Sequence, residues 1–124
     1  LLEADITQCF VDFGGSSILA LGHHPYGDIW KVSLKNPFAE GETVDEIALR
    51  DESMSTSGNT PLYTKHIIDP FSGEYNDKRK LVNVVSPHPI DAEVLSTALM
   101  VADTDKKKSI TDQFDKAKVN EYNL

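Results

Sequence analysis

Three short stretches hold the side chains with chemistry to offer. His66-Ile67-Ile68-Asp69-Pro70-Phe71-Ser72-Gly73 sets an imidazole, which exchanges protons near neutral pH, three positions before a carboxylate. Pro70 fixes its own φ and Gly73 tolerates backbone angles that other residues avoid, so a turn here would aim His66 and Asp69 reproducibly. Ser55-Thr56-Ser57-Gly58 offers three hydroxyls and main-chain N–H groups, a means of holding phosphate oxygens without positive charge. Glu93 and Thr97 stand one helical turn apart, and a carboxylate beside a hydroxyl suits a hard cation such as Mg²⁺, which takes further oxygens from water and phosphate. Each stretch also has an ordinary reading: a strand histidine before an Asp-Pro turn, a solvated Ser/Gly loop, and the wet face of a helix.

The elements that must position these residues read as strands first and helices late. Strands are predicted over 8–13, stopped by Gly14-Gly15, and over 17–21, stopped by Gly22. After a turn through His23-His24-Pro25-Tyr26-Gly27 comes 28–34, where Ile29, Lys31 and Ser33 oppose Trp30, Val32 and Leu34, a strand with one wet face. Further strands are predicted over 43–50, over 64–68 to deliver His66 and Asp69, and over 81–86, while 55–58 reads as a flexible loop. Asp91 is placed to cap a helix running to Ala102, with Val94, Leu95, Ala98, Leu99, Val101 and Ala102 on an apolar arc and Glu93 and Thr97 outside it. A second helix is predicted from Ser109, with Asp112 at capping-box distance and Ile110, Phe114 and Ala117 on one stripe. The expected architecture is α+β, one domain over 1–124, with a mainly antiparallel sheet and helices packed on one face.

Composition bounds the function. Forty per cent hydrophobic and 26% charged residues describe an ordinary globular domain long enough for a real core. Twelve Lys+Arg against 20 Asp+Glu leave a formal charge of −8, which repels a polyphosphate backbone and argues against nucleic acid as a partner. A single nucleotide could still bind if a divalent cation and N–H groups met its phosphates. Cys9 is the only cysteine, beside Phe10 and Val11, and is expected as a buried strand thiol that leaves the compartment open. His23 and His24 lack a spaced partner ligand and read as loop residues. The first residue, Leu1, is not methionine, which points to a native start upstream.

The order of these features carries a resemblance. Val11-Asp12-Phe13-Gly14-Gly15-Ser16-Ser17, then Gly27-Asp28-Ile29-Trp30-Lys31-Val32, the Ser55 to Gly58 stretch, the His66 motif and the Glu93/Thr97 pair resemble the C-terminal part of the bacterial FAD:protein FMN transferases, the ApbE-like flavin transferases, over residues 4–105. The resemblance implies that Ser55, Thr56, Ser57, Gly58, His66 and Ile67 line a flavin nucleotide site and that His66 and Asp69 assist proton movement. It implies Mg²⁺ on Glu93 and Thr97; the family places an aspartate where Glu93 stands, and Asp91 is the neighbouring alternative. The implied reaction takes FAD as substrate and transfers FMN to a Thr or Ser hydroxyl of a target flavoprotein, releasing AMP. A non-catalytic FAD- or partner-binding module, or an FAD pyrophosphatase using water, would have the same fold. The family's upstream Ala-Lys-Gly signature has no counterpart in these residues, so a complementing chain or a homo-oligomer is an expected partner. The family also implies the bacterial cell envelope, with membrane contact only through the target or an N-terminal anchor; the residues alone are equally compatible with the cytoplasm.

Overall fold

The computed structural model describes residues 1–124. In chain order the elements are β1 (Cys9–Phe13), β2 (Ser17–Leu21), β3 (Trp30–Lys35), β4 (Thr43–Leu49), β5 (Glu52–Gly58), β6 (Lys80–Ser86), α1 (Pro89–Val101), α2 (Thr104–Thr111) and β7 (Lys118–Asn123). Five strands form one sheet in the order β1-β2-β5-β6-β7, every pair antiparallel, while β3 and β4 form a separate ribbon. This is the expected α+β architecture with a mainly antiparallel sheet.

Successive strand residues point to opposite faces, and β6 shows what each face meets. Val82 and Val84 point to α1 and join Ile67, Ala92, Leu95, Leu99 and Met100 in one buried cluster, with Ile110, Phe114 and Val119 packed against it. Val85 points the other way and joins Ile18, Ala20, Ile47, Leu49 and Met54, with Trp30 and Val32 alongside. The helices therefore cover one face, as expected. The ribbon covers the other, a layer that strand patterning alone did not reveal.

Several sequence expectations are corrected. Residues 55–58 are the end of β5 rather than a loop: Ser55 pairs Ser17 on one side and Val84 on the other, so both neighbours supply main-chain partners. Residues 64–68 form no strand; Ile68 makes a single bridge to Tyr75, and buried Ile67 pins an otherwise exposed loop to the helix-side core. Helix α1 has His88 at its N-cap position and Pro89 in its first turn, with Asp91 inside that turn rather than capping it. Val94, assigned to the apolar arc, is 55% exposed, because the buried stripe runs through Ala92, Leu95, Ser96, Leu99 and Met100. Helix α2 starts five residues before Ser109: Asp103 is its cap and accepts from the Lys106 N–H at 2.8 Å, while Asp112 lies at its C-terminal end. Cys9 is half-buried rather than buried.

Two polar fastenings hold the periphery. Lys80 is 8% exposed and reaches Glu121 Oε2 on β7 at 2.6 Å, an oxygen that Lys107 of α2 shares at the same distance. Asn59, fully buried, donates its amide to the carbonyls of Asn76 (2.7 Å) and Lys78 (3.0 Å) and so cinches the ends of the loop that carries His66. Before Asn59, Gly58 meets β6 so closely that an added Cβ would lie 2.3 Å from Leu81 Cδ2 and 2.7 Å from the Lys80 carbonyl oxygen.

Candidate functional site

A cleft of about 1080 Å³ opens at the end of the sheet where the β1–β2 turn, the tails of β5 and β3, the start of β6, the His66 loop and α1 meet. Each contributor arrives there for a local reason. The β1–β2 turn places Gly14 and Gly15 at φ of 72° and 80°, a conformation glycine adopts without strain, and Asp12 accepts from the Gly15 N–H at 2.6 Å to hold it. Val32, Leu34, Met54, Ile67 and Leu81 give the cleft an apolar wall. Thr56, Ser57, Gly58, Glu93 and Thr97 give it a wall of hydroxyl and carboxylate oxygens.

The polar wall is a seam between β5 and α1. Alternation sends Ser53, Ser55 and Ser57 to the helix side of β5, where α1 presents Glu93, Ser96 and Thr97. Glu93 Oε2 accepts from Ser17 of β2 at 2.5 Å and from Ser55 at 2.8 Å. Ser96 lies 3.0 Å from Ser55 and 2.9 Å from Ser57, and Ser57 lies 3.0 Å from Thr97. Ser55 and Ser96 are buried, so they back the site without lining it.

The expected catalytic pair separates. His66 lines the cleft; its Nδ1 lies 2.9 Å from the Tyr63 carbonyl, which only accepts, so Nδ1 carries the proton and Nε2 of the neutral ring is a free acceptor. Asp69 does not line the cleft. Its carboxylate accepts from the Phe71 N–H at 2.8 Å and its main chain bonds Glu74 and Gly73, so it builds the turn that follows His66. Of the residues that motif and spacing singled out, Thr56, Ser57, Gly58, His66, Ile67, Glu93 and Thr97 come together in the cleft.

Divalent-cation fit rests on which oxygens stay uncommitted. Glu93 Oε1 makes no hydrogen bond within the chain, and Thr97 Oγ1 has Ser57 as its single side-chain partner. Two such oxygens match Mg²⁺, which commonly takes one or two protein oxygens and leaves the rest to water and phosphate. No three His, Cys, Asp or Glu side chains converge anywhere as a preformed cage, and Asp91 does not line the cleft. Glu93 Oε1 and Thr97 Oγ1 are the two oxygens here that could hold a divalent cation.

Sequence reasoning missed Ser17, Ser96 and Lys35. Ser17 is remote in sequence from Glu93, and Ser96, although it stands between Glu93 and Thr97, has partners Ser55 and Ser57 that lie 41 and 39 residues upstream. Lys35 is the one lysine lining the cleft, its ammonium 2.8 Å from the Thr43 hydroxyl across the ribbon, and only the ribbon's position reveals it.

The chain is similar to known proteins in both sequence and fold. A sequence model of the ApbE family matches residues 1–120. The FAD:protein FMN transferase of Haemophilus influenzae is 31% identical over 124 residues, covering 91% of this chain and 35% of that protein, and the one from Treponema pallidum is 30% identical over 128 residues, covering 88% and 34%. Among solved structures, the flavin transferase ApbE from Vibrio cholerae superposes with a TM-score of 0.73 at 25% identity, covering 98% of this chain and 44% of that one. The apo form of the Pseudomonas stutzeri flavinyl transferase ApbE gives 0.68 at 26% identity, covering 97% and 38%. The chain spans about a third of the length of the curated relatives it matches.

Proposed function

The chain belongs to the ApbE family, and on that premise we propose that its cleft takes FAD as substrate and serves the transfer of FMN to a Thr or Ser hydroxyl of a target flavoprotein. The observation that carries the reading is the joining, in one space, of an apolar wall, an oxygen-rich corner and the free Nε2 of His66. A flavin has the same division: a flat apolar ring at one end and a charged pyrophosphate at the other. The volume, about 1080 Å³, lies just above the range of ordinary ligand pockets, about 300–1,000 Å³.

In this reading Val32, Leu34, Met54, Ile67 and Leu81 bury the ring, while the Gly14 N–H of the β1–β2 turn and the Thr56 hydroxyl, which accepts from Asn83 and keeps its own proton, orient phosphate oxygens. Glu93 Oε1 and Thr97 Oγ1 would hold Mg²⁺, which when bound neutralises charge developing on the phosphoryl oxygens. The target hydroxyl oxygen attacks the FMN-side phosphorus, the bond to the AMP oxygen breaks, and His66 Nε2 takes the hydroxyl proton. Asp69 contributes by holding the turn that aims His66.

A second reading is favoured by one observation: the chain spans about a third of the length of the relatives it matches. It would then bind FAD or a partner without turnover, or act beside a complementing chain or a second copy. Incubation with FAD and Mg²⁺, with and without a target flavoprotein, separates the outcomes. AMP together with protein-bound flavin supports transfer, AMP with free FMN supports hydrolysis, and FAD retention without AMP supports a binding module. By family the expected location is the bacterial cell envelope; no helix here is long and apolar enough to cross a membrane.

A further inference from the structure

The wall behind Glu93 and Thr97 is a run of hydroxyls, and counting protons gives it a direction. An ionised carboxylate only accepts, so Ser17 and Ser55 each spend their single proton on Glu93 Oε2, at 2.5 and 2.8 Å. Ser96 lies 3.0 Å from Ser55 Oγ and 3.1 Å from the main-chain oxygen of Glu93, and its proton goes to one of them: given to Ser57 instead, it would leave both of those oxygen–oxygen contacts without a proton. Ser57, 2.9 Å from Ser96, must then donate to it, and Thr97, 3.0 Å from Ser57, must donate to Ser57. The Thr97 proton therefore points into the seam, and its remaining lone pair is left for the cleft. Glu93, held at one oxygen by two donors, offers the other.

We propose that Ser17, Ser55, Ser57 and Ser96 are positioning residues for a divalent cation: their hydroxyls fix the Glu93 side chain and turn Thr97 into an acceptor, so that the corner presents lone pairs only. The inference rests on the metal reading of this corner and adds to it which residues make the two ligands competent. It also gives the length of the Glu93 side chain a reason. An aspartate there would end one carbon–carbon bond, about 1.5 Å, short of Ser17 and Ser55 and lose both donors. Hydrogen bonds that orient metal ligands commonly govern affinity although they never touch the ion.

Mn²⁺ titrated into the full 124-residue chain without flavin, with the free ion followed by electron paramagnetic resonance, tests this apart from any activity. Ser17→Ala should weaken Mn²⁺ binding roughly tenfold, the low end for loss of a ligand-orienting bond. Ser55→Ala should act in the same direction, and Ser17→Thr, which keeps the hydroxyl, should restore affinity. Ser53→Ala should leave it unchanged, because that hydroxyl serves the Ser86 carbonyl at 2.8 Å instead. In a Glu93→Asp background Ser17→Ala should add no further loss, since the contact it removes is already gone. Unchanged affinity in Ser17→Ala, or an undiminished loss in the Glu93→Asp background, overturns the proposal while leaving the metal reading standing. A wild-type chain with no Mn²⁺ affinity overturns both.

Discussion

Helix α1 lies against two neighbouring strands in two different ways. Over β6 it packs Leu95 and Leu99, both fully buried, onto Val82 and Val84; over β5 it sets Glu93, Ser96 and Thr97 against Ser55 and Ser57. The first seam is apolar and closes. The second is hydrogen-bonded and opens into the cleft. Full burial of a leucine is worth about 1.5–3 kcal/mol, whereas a neutral hydrogen bond nets about 1 kcal/mol because water would supply one too. The helix is therefore anchored through β6, which frees the β5 seam to carry oxygens that stability alone would not select.

Substitutions in the two seams should accordingly separate stability from binding. The largest effect is expected for Leu99→Ala or Leu95→Ala, a loss of about 2–5 kcal/mol in denaturant unfolding, with metal affinity of the still-folded fraction little altered. Glu93→Ala should do the reverse: metal-dependent FAD binding disappears while unfolding free energy falls by about 1.5–3 kcal/mol, the scale of hydrogen bonding to a charged group. An equal stability loss in both would erase the distinction between the seams.

Removing the ion rather than its ligand should cost the same metal-dependent binding while leaving the hydrogen bonds of the seam in place. With a formal charge of −8 and Lys35 the single lysine in the cleft, the pyrophosphate of FAD depends on a cation for screening, so excess EDTA should weaken FAD binding about tenfold, an ordinary coupling between two ligands. Equal affinity with and without Mg²⁺ would show that the serine seam is structural.

The ribbon side of the sheet should respond least, and only to pH. Burial, followed by the hydrogen bond it donates to Asp45 Oδ2 at 2.5 Å, pushes the Tyr122 phenol up to about 12, while the same bond lowers the Asp45 carboxyl. A raised folded-state value means that Tyr122 contributes stability fully below its ordinary value of 10, and that this is lost as pH rises toward about 12. Asp45 contributes above its ordinary range and loses that as pH falls through its lowered folded value. In chemical unfolding followed across pH 9 to 12, wild type should lose this increment and Tyr122→Phe should lack it; identical profiles would remove the ribbon from the account of alkaline stability.

What the sequence disclosed depended on whether local pattern and tertiary contact agreed. The alternation of Trp30 to Leu34 and the apolar run of β6 gave their strands away, since side-chain pattern there matches burial. Ser55 to Gly58 reads as a loop because serine and glycine are common in turns; it is a strand because β2 and β6 flank it and α1 supplies hydroxyl partners, all more than fifteen residues away. The segment 64–68 erred the other way, β-rich yet without a neighbouring strand. β7 went unread because Asn120 and Glu121 interrupt its apolar residues, and Glu121 is there for Lys80 and Lys107. Of the site, His66, Glu93 and Thr97 were legible through motif and spacing, whereas Ser17 and Asp69 show their roles only through partners in space.

The close approach of Gly58 to β6 bears on how this domain can drift over evolutionary time. Of the two obstacles a side chain would meet, the Leu81 methyl could be removed by a smaller residue, but the Lys80 oxygen is main chain and stays whatever the sequence becomes. No second-site change can therefore compensate for alanine there without parting β5 from β6 immediately beside Ser57, which β5 presents to the cleft. The position is a fixed point: the surrounding serines, valines and leucines have neighbours that could adjust with them, and Gly58 has none.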